Sequence, residues 1–228
     1  SAHLFSGKNS VLSGPAGGVV GTARTAEKNS RKSVIGFDMG GTSTDVCHYA
    51  GQYERQFENE VNGVKLNIPM MAIETVAAGG GSVVDFDGVN MRVGPESAGS
   101  NPGPSCYKKG GPLTVTDCNV LLGKIRPGYF PKTFGVDNKQ EIDTADVIKK
   151  FESLTKAIND SSDTDMSSKD VAEGFIHIAV SKMADAIRKI STQKGIDLSN
   201  YVLNCFGGAA GQHACQVADA LGISTILI

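Results

Sequence analysis

Residues 37–45, FDMGGTSTD, set two carboxylates, Asp38 and Asp45, on either side of Gly40, Gly41 and three hydroxyl side chains, Thr42, Ser43 and Thr44. That mixture suits the phosphates of a nucleotide. Glycines without Cβ atoms let backbone N–H groups turn toward an anion, and the hydroxyls add donors. A carboxylate beside such a pocket, Asp38 or Asp45, can accept a hydrogen bond from water on a Mg2+ ion that carries the phosphates. An ordinary hairpin with a Gly-Gly tip would also explain these nine residues taken alone.

A second cluster shifts the balance. Gly207, Gly208, Ala209, Ala210 and Gly211 directly follow the apolar run YVLNCF and open a helical pattern, so their amides face whatever sits at the carboxyl edge of the sheet. Two such bends in one sheet suit a nucleotide with its phosphates at one and its adenosine at the other. Gly79, Gly80 and Gly81 form a third candidate for close backbone approach, near a substrate or as a bulged strand. His213 starts the last helix and is a candidate for contact with substrate. His213 and Cys215 stand two apart on that helix and do not share a face, which argues against a metal pair. Asp117 reads as a helix cap.

The 228 residues carry a net charge of −2, which gives no broad reason to attract nucleic acid or anionic lipid, so any bound anion must be held locally. No apolar run approaches the roughly 18–20 residues of a spanning helix, and the first ten residues lack the pattern of a signal peptide. A cytoplasmic location is expected. Five cysteines without a CxxC pair read as reduced thiols. The 28 glycines exceed the usual share and are clustered.

Several elements must position these loops. Residues 13–29 read as a capped helix with small residues Gly17, Gly18 and Gly21. Residues 32–39 read as a central strand, apolar on both faces. The runs TDVCHYA and YERQFENEV then continue as an antiparallel meander. VKLNI, GGGSVVDF and VNMRV are further strands, the last two joined by an Asp87-Gly88 turn. Residues 94–112, rich in Pro and Gly, form a long loop, taken as a flexible insert. Thr116-Asp117 caps a short helix and Asp143-Thr144 a longer one with Val147, Ile148, Phe151, Leu154 and Ile158 at helical spacing. Residues 159–168 are a polar linker. Asp170 and Glu173 resemble a capping box on a helix that ends near Gly195. The chain closes on a strand–turn–helix–strand unit, expected to be parallel.

Six blocks, LSGPAGGVVG, GFDMGGTSTDV, ETVAAGGGS, GPESAGSNPGPSCY, LTVTDCNVLLG and FGGAAGQHAC, together resemble the hydantoinase A/5-oxoprolinase family, above all its eukaryotic 5-oxoprolinase branch. The resemblance implies an α/β fold: a lobe like those of the actin, sugar-kinase and heat-shock-chaperone ATPases (ribonuclease H-like), with a mixed sheet and flanking helices. It implies ATP and Mg2+ as cofactors and ATP-driven opening of 5-oxo-L-proline to L-glutamate. Gly40, Gly41, Thr42, Ser43 and Thr44 would be the second lobe's phosphate loop, Gly207, Gly208, Ala209 and Gly211 the adenosine loop, and Asp38 the residue that holds Mg2+ through water. The helices at 13–29 and 170–194 would cross at a hinge. Residues 1–31 would end the first lobe and 32–228 form the second. Such enzymes carry an earlier phosphate loop of the same type, and this sequence has only one. The expectation is therefore a part of a longer enzyme, lacking the first lobe and a C-terminal region, with the full protein a homodimer. Alternatives are a hydantoinase or acetone-type carboxylase subunit, or a non-catalytic lobe that binds a nucleotide or partner.

Overall fold

A computed structural model describes residues 13–61 and 64–228, and the side chains of residues 58–69 lie outside that description. Residues 1–12, the start of the expected 1–31 segment, lie outside it as well. The first helix, α1 (Ser13–Lys28), leads into β1 (Val34–Met39) and β2 (Thr44–Tyr49). β1 lies in the middle of a five-stranded mixed sheet, antiparallel to β2 and parallel to β8 (Val202–Phe206). β5 (Glu74–Val76) adds to the far side of β2, and β9 (Ile226–Leu227) pairs in parallel with β8. The terminal unit is therefore parallel, as the sequence predicts.

Alternation along β1 assigns the two faces of the sheet. Ile35, Phe37 and Met39 enter the main core with residues of α4 (Ser168–Lys194), whereas Val34 packs with Ala23 and Ala26 of α1. Both faces are covered, which is why the strand reads as continuously apolar. Phe175, Ile176, Met183 and Ile187 of α4 are among the largest fully buried side chains, each contributing roughly 1.5–3 kcal/mol. α2 (Val115–Leu121), α3 (Thr144–Ser162) and α5 (Ala214–Leu221) pack around α4. The hairpin of β6 (Ser82–Phe86) and β7 (Met91–Ser97) lies beside it.

Several expectations change. α1 and α4 do not cross, because the sheet lies between them: α1 covers β1, β2 and β8 on one face, and α4 lies on the other. Of the small residues on α1, Gly18 packs on Phe206, while Gly17 and Gly21 face open space. The meander stops at β2. β3 (Arg55–Val61) pairs with β4 (Val64–Met71) in a separate hairpin, and the segment leading into it is tied to β2 by a Tyr49–Tyr53 bridge and by His48 Nδ1 to Glu54 Oε1 at 2.6 Å. Arg55, Gln56 and Phe57, the start of β3, are exposed.

The caps sit earlier than the spacing suggests. Ser167 caps α4 with Asp170 as its box partner, and Thr114 caps α2 with Asp117. The polar stretch 159–168 is partly helix, since α3 runs to Ser162. Asn159 then folds the chain back: its Oδ1 accepts from Met166 N at 3.0 Å and its Nδ2 donates to Met166 O at 2.9 Å. Within insert 94–112, β7 continues to Ser97 and residues 103–106 are buried. Asp117, fully buried, holds them: it accepts from Ser105 N at 3.1 Å, Cys106 N at 2.8 Å and Thr114 N at 2.8 Å. No helix among the described residues is long and apolar enough to cross a membrane. All five cysteines are free, and four of them are buried.

Candidate functional site

β1 ends at Met39, and Gly40 N donates to Ser43 O at 3.0 Å to close the turn into β2. The turn rests on the third glycine cluster. Gly80 N donates to Gly40 O at 3.0 Å and Gly81 N to Gly41 O at 2.6 Å. A Cβ at Gly79 would stand 2.7 Å from the carbonyl of Gly41 and from Ser43 N, so only glycine lets the two backbones stack this closely. These contacts occupy the carbonyls of Gly40, Gly41 and Ser43. The N–H groups of Gly41 and Thr42, both on exposed residues, have no partner among the described residues.

The second bend is fastened to the same strand end. Gly207 adopts φ +93°, and a Cβ there would lie 2.5 Å from Met39 O and 2.6 Å from Asp38 Oδ1. Ala209 N donates to Met39 O at 3.1 Å. Residues 210–212 form a short 3₁₀ turn before α5 begins at Ala214. The two bends thus lie side by side at the carboxyl ends of adjacent parallel strands, the position where open α/β sheets bind ligands. The exposed Gly208 N–H is also without a partner among the described residues.

On the α1 side of the strand ends, Asp38 and Asp45 stand opposite each other in register. Burial, and then the neighbouring Asp45, push the Asp38 carboxyl above its ordinary range. Asp45 Oδ1 accepts from Thr75 Oγ1 at 2.6 Å, whereas the Asp38 carboxylate accepts no hydrogen bond from the described residues. A half-buried carboxylate without a donor fits a cation or its bound water. Among the described residues, no three His, Cys, Asp or Glu side chains gather to hold a metal by themselves. Carboxylates at a magnesium site usually share the ion with phosphates and water, so the pair fits that role.

On the opposite side lies a cleft of about 310 Å³. One wall is main chain: Gly40, Gly41, Gly80, Gly81, Gly208 and Ala209. The rest of the lining is largely apolar, with Pro104 and Tyr107 of the insert and Ile125 and Phe130. Phe134 packs against this part, with ring centroids 4.6 Å from Tyr107 and 6.1 Å from Phe130. Thr116 and Gln212 supply side-chain polarity at the rim, Thr116 Oγ1 donating to Gly80 O at 2.8 Å.

The structure therefore brings Asp38, Asp45, Gly40, Gly41, Thr42, Ser43, Gly207, Gly208 and Ala209 to one strand edge. Thr44 is a correction: it is buried, and its hydroxyl is committed to Ala78 O behind the turn. Gly79, Gly80 and Gly81 support the turn from behind, although Gly80 and Gly81 also line the cleft. Gly211 opens on a neighbouring depression with Lys124 and Cys215. His213 is fully buried behind the rim, and burial, together with Lys124, lowers its pKa to about 4. Tyr107, Thr116, Ile125, Phe130 and Gln212 were not among the sequence candidates. The aromatic residue inside a Pro/Gly-rich insert was the one available signal.

Comparison with known proteins bears on this arrangement. The chain is 47% identical over 231 residues to 5-oxoprolinase 1 of Arabidopsis thaliana, covering 98% of this chain and 18% of that protein. In structure it is similar to nucleotide-free acetone carboxylase, reported with the mechanism of ATP-dependent acetone carboxylation: the TM-score is 0.80 at 27% identity, over 95% of this chain and 30% of that one. It is also similar to the ATP-dependent caprolactamase of Pseudomonas jessenii, with a TM-score of 0.74 at 31% identity over 92% of this chain and 29% of that one. The chain thus spans about a fifth of the length of the 5-oxoprolinase it matches. The hydantoinase/oxoprolinase family model matches residues 1–228 throughout, and the chain belongs to that family.

Proposed function

We propose that this chain is the ATP-binding portion of an ATP-dependent 5-oxoprolinase, which opens 5-oxo-L-proline to L-glutamate as ATP becomes ADP and phosphate. One observation carries the reading: two glycine bends are fixed side by side to the end of β1, with amides at Gly41, Thr42 and Gly208 that have no partner among the described residues. In this reading the triphosphate crosses the Gly40-Gly41 tip, with Asp38 and Asp45 at its γ end and Gly208 and Ala209 toward the nucleoside. Residues 1–31 would end a first lobe and 32–228 form the second. A first lobe and a C-terminal region would complete the cytoplasmic, homodimeric enzyme.

An unstrained lactam is a poor electrophile. Moving the γ-phosphoryl group to the amide oxygen releases ADP and makes the carbonyl carbon open to water. Opening the ring and freeing the phosphate then consume one water each. Such transfer relies on positioning and charge neutralisation rather than on covalent help from the protein. Amides of the turn would orient the phosphates, and the Asp38 carboxylate would accept a hydrogen bond from water on Mg2+. Held there, the ion would supply positive charge to neutralise the phosphates.

ATP turnover by the full-length protein tests this, with 5-oxoproline, hydantoin, or a ketone plus bicarbonate as co-substrate. Stimulation by 5-oxoproline alone is the expected result. Stimulation by one of the others would assign the chain to a hydantoinase or a carboxylase, and no ATP turnover with any of them would leave a non-catalytic lobe.

A further inference from the structure

We propose that the cleft beside the glycine bends is a nucleobase slot, and that Gln212, its amide held in one sense between Gly208 O and Asn119, reads the edge of adenine. This rests on the nucleotide reading above and adds to it the residues that would choose the base. Gly208, Ala209, Tyr107 and Phe130 all line the cleft. A flat heteroaromatic ring matches an aromatic wall, because every base offers a π face for stacking. The rings are themselves supported from behind by Phe134.

Stacking alone does not distinguish one base from another. Gln212 supplies the edge contact, and Gly208 O, which can only accept, sets its orientation. Asn119 Nδ2 donates to Gln212 Oε1 at 2.7 Å, and Gln212 Nε2 faces Gly208 O at 3.4 Å. With Gln212 Nε2 donating to Gly208 O and Oε1 taking one Asn119 hydrogen, the second hydrogen of Asn119 Nδ2 is left for His213 Nε2 at 3.1 Å, which assigns the ring proton to Nδ1. Asn119 and His213 are fully buried. The arrangement persists although Asn119 Oδ1 and His213 Nδ1 are buried with no partner among the described residues, and unpaired buried polar atoms are rare enough to call for a reason. Burial keeps His213 neutral near physiological pH, which preserves the accepting nitrogen.

A freely turning glutamine amide would pair with either purine by rotating over. A fixed one pairs with a single donor–acceptor order. Adenine offers an amino donor beside a ring-nitrogen acceptor, and guanine offers a carbonyl acceptor beside an N–H donor. One spare lone pair on Oε1 and one spare hydrogen on Nε2 accommodate the first order and oppose the second in the same slot. Gln212 is the specificity-determining residue, and Asn119 and His213 are positioning residues.

Calorimetry on the full-length protein with ATP, GTP and inorganic tripolyphosphate, each with Mg2+, tests the assignment. ATP is expected to bind about tenfold or more tightly than GTP, the ratio that about 1.4 kcal/mol of edge pairing gives. Gln212→Ala, at a half-buried rim position, brings the two nucleotides within roughly twofold of each other and leaves tripolyphosphate unchanged. Phe130→Ala weakens both nucleotides together, by roughly tenfold. Asn119→Ala collapses the ATP/GTP ratio, an effect that a purely structural role would not produce in a protein that still melts cooperatively. Equal binding of ATP and GTP by the wild type, or an unchanged ratio in Gln212→Ala, would overturn the inference while leaving phosphate binding in place. If tripolyphosphate and both nucleotides all fail to bind, the nucleotide reading itself falls, and this inference with it.

Discussion

Gly79 and Gly41 touch each other through main chain, yet alanine should have opposite effects at the two positions. At Gly79 a methyl group would lie 2.7 Å from Gly41 C, Gly41 O and Ser43 N, about 0.7 Å inside the 3.4 Å at which ordinary contact begins. All three neighbours are backbone, so no side chain can rotate away. Overpacking of this kind costs about 1–3 kcal/mol, and the rigidity of a hydrogen-bonded turn places Gly79→Ala near the upper end. At Gly41 nothing lies within 4 Å of the added methyl and φ is outside the left-handed range. Gly41→Ala should therefore stabilise by about 0.4–1 kcal/mol through the unfolded chain. The two variants are expected to differ by roughly 2–4 kcal/mol in urea unfolding. Gly79→Ala should also weaken nucleotide binding, because the turn must move to make room. Values for the two variants within about 0.5 kcal/mol of each other would refute the stacked-backbone account of the third glycine cluster.

Three further outcomes follow from the same geometry. Asp38→Asn removes a desolvated charge facing Asp45, so the melting temperature should hold or rise while ATP turnover falls by about a hundredfold or more; retained turnover would remove Asp38 from the chemistry. Asp117→Ala leaves the amides of Ser105, Cys106 and Thr114 without their acceptor and should cost about 3 kcal/mol or more, with faster amide exchange at Ser105 and Cys106; a smaller loss would show that another group holds the insert. His213 has a folded pKa of about 4 against 6.5 for the free side chain. Above pH 6.5 it is neutral in both states. As the pH falls from 6.5 to 4 only the unfolded chain takes up the proton, so stability is lost by up to about 3 kcal/mol. Urea midpoints between pH 7.5 and 5 should show this decline, and His213→Asn should flatten it; equal slopes in the two proteins would contradict the neutral assignment.

Much of the arrangement was legible in the sequence, and the exceptions have specific causes. β1, β8 and the two glycine bends could be read because each is a local pattern: an apolar run that stops at a glycine pair. Their adjacency depends on the β1–β8 pairing across more than 160 residues and could only be expected from the parallel closing unit. Gly79, Gly80 and Gly81 showed that backbone must approach backbone, but not that the partner is the Gly40–Gly41 turn. Thr44 looked equivalent to Thr42 until strand alternation turned it inward to Ala78. The aromatic wall escaped notice because Tyr107 and Phe130 lie in segments without a period, brought together by the Asp117 clamp and by Phe134. The expected crossing of α1 and α4 failed for a related reason: small residues permit a close approach but do not name the partner, and β1 lies between the two helices.

Amide hydrogen exchange resolved to single residues, with and without Mg-ATP, tests the central claim most directly. The free N–H groups of Gly41, Thr42 and Gly208 should exchange rapidly in the free protein and slow markedly together on adding nucleotide, with little change at the distant β3–β4 hairpin. Protection elsewhere, with these three amides still exchanging at the free rate, would contradict the claim that the paired glycine bends hold the phosphates.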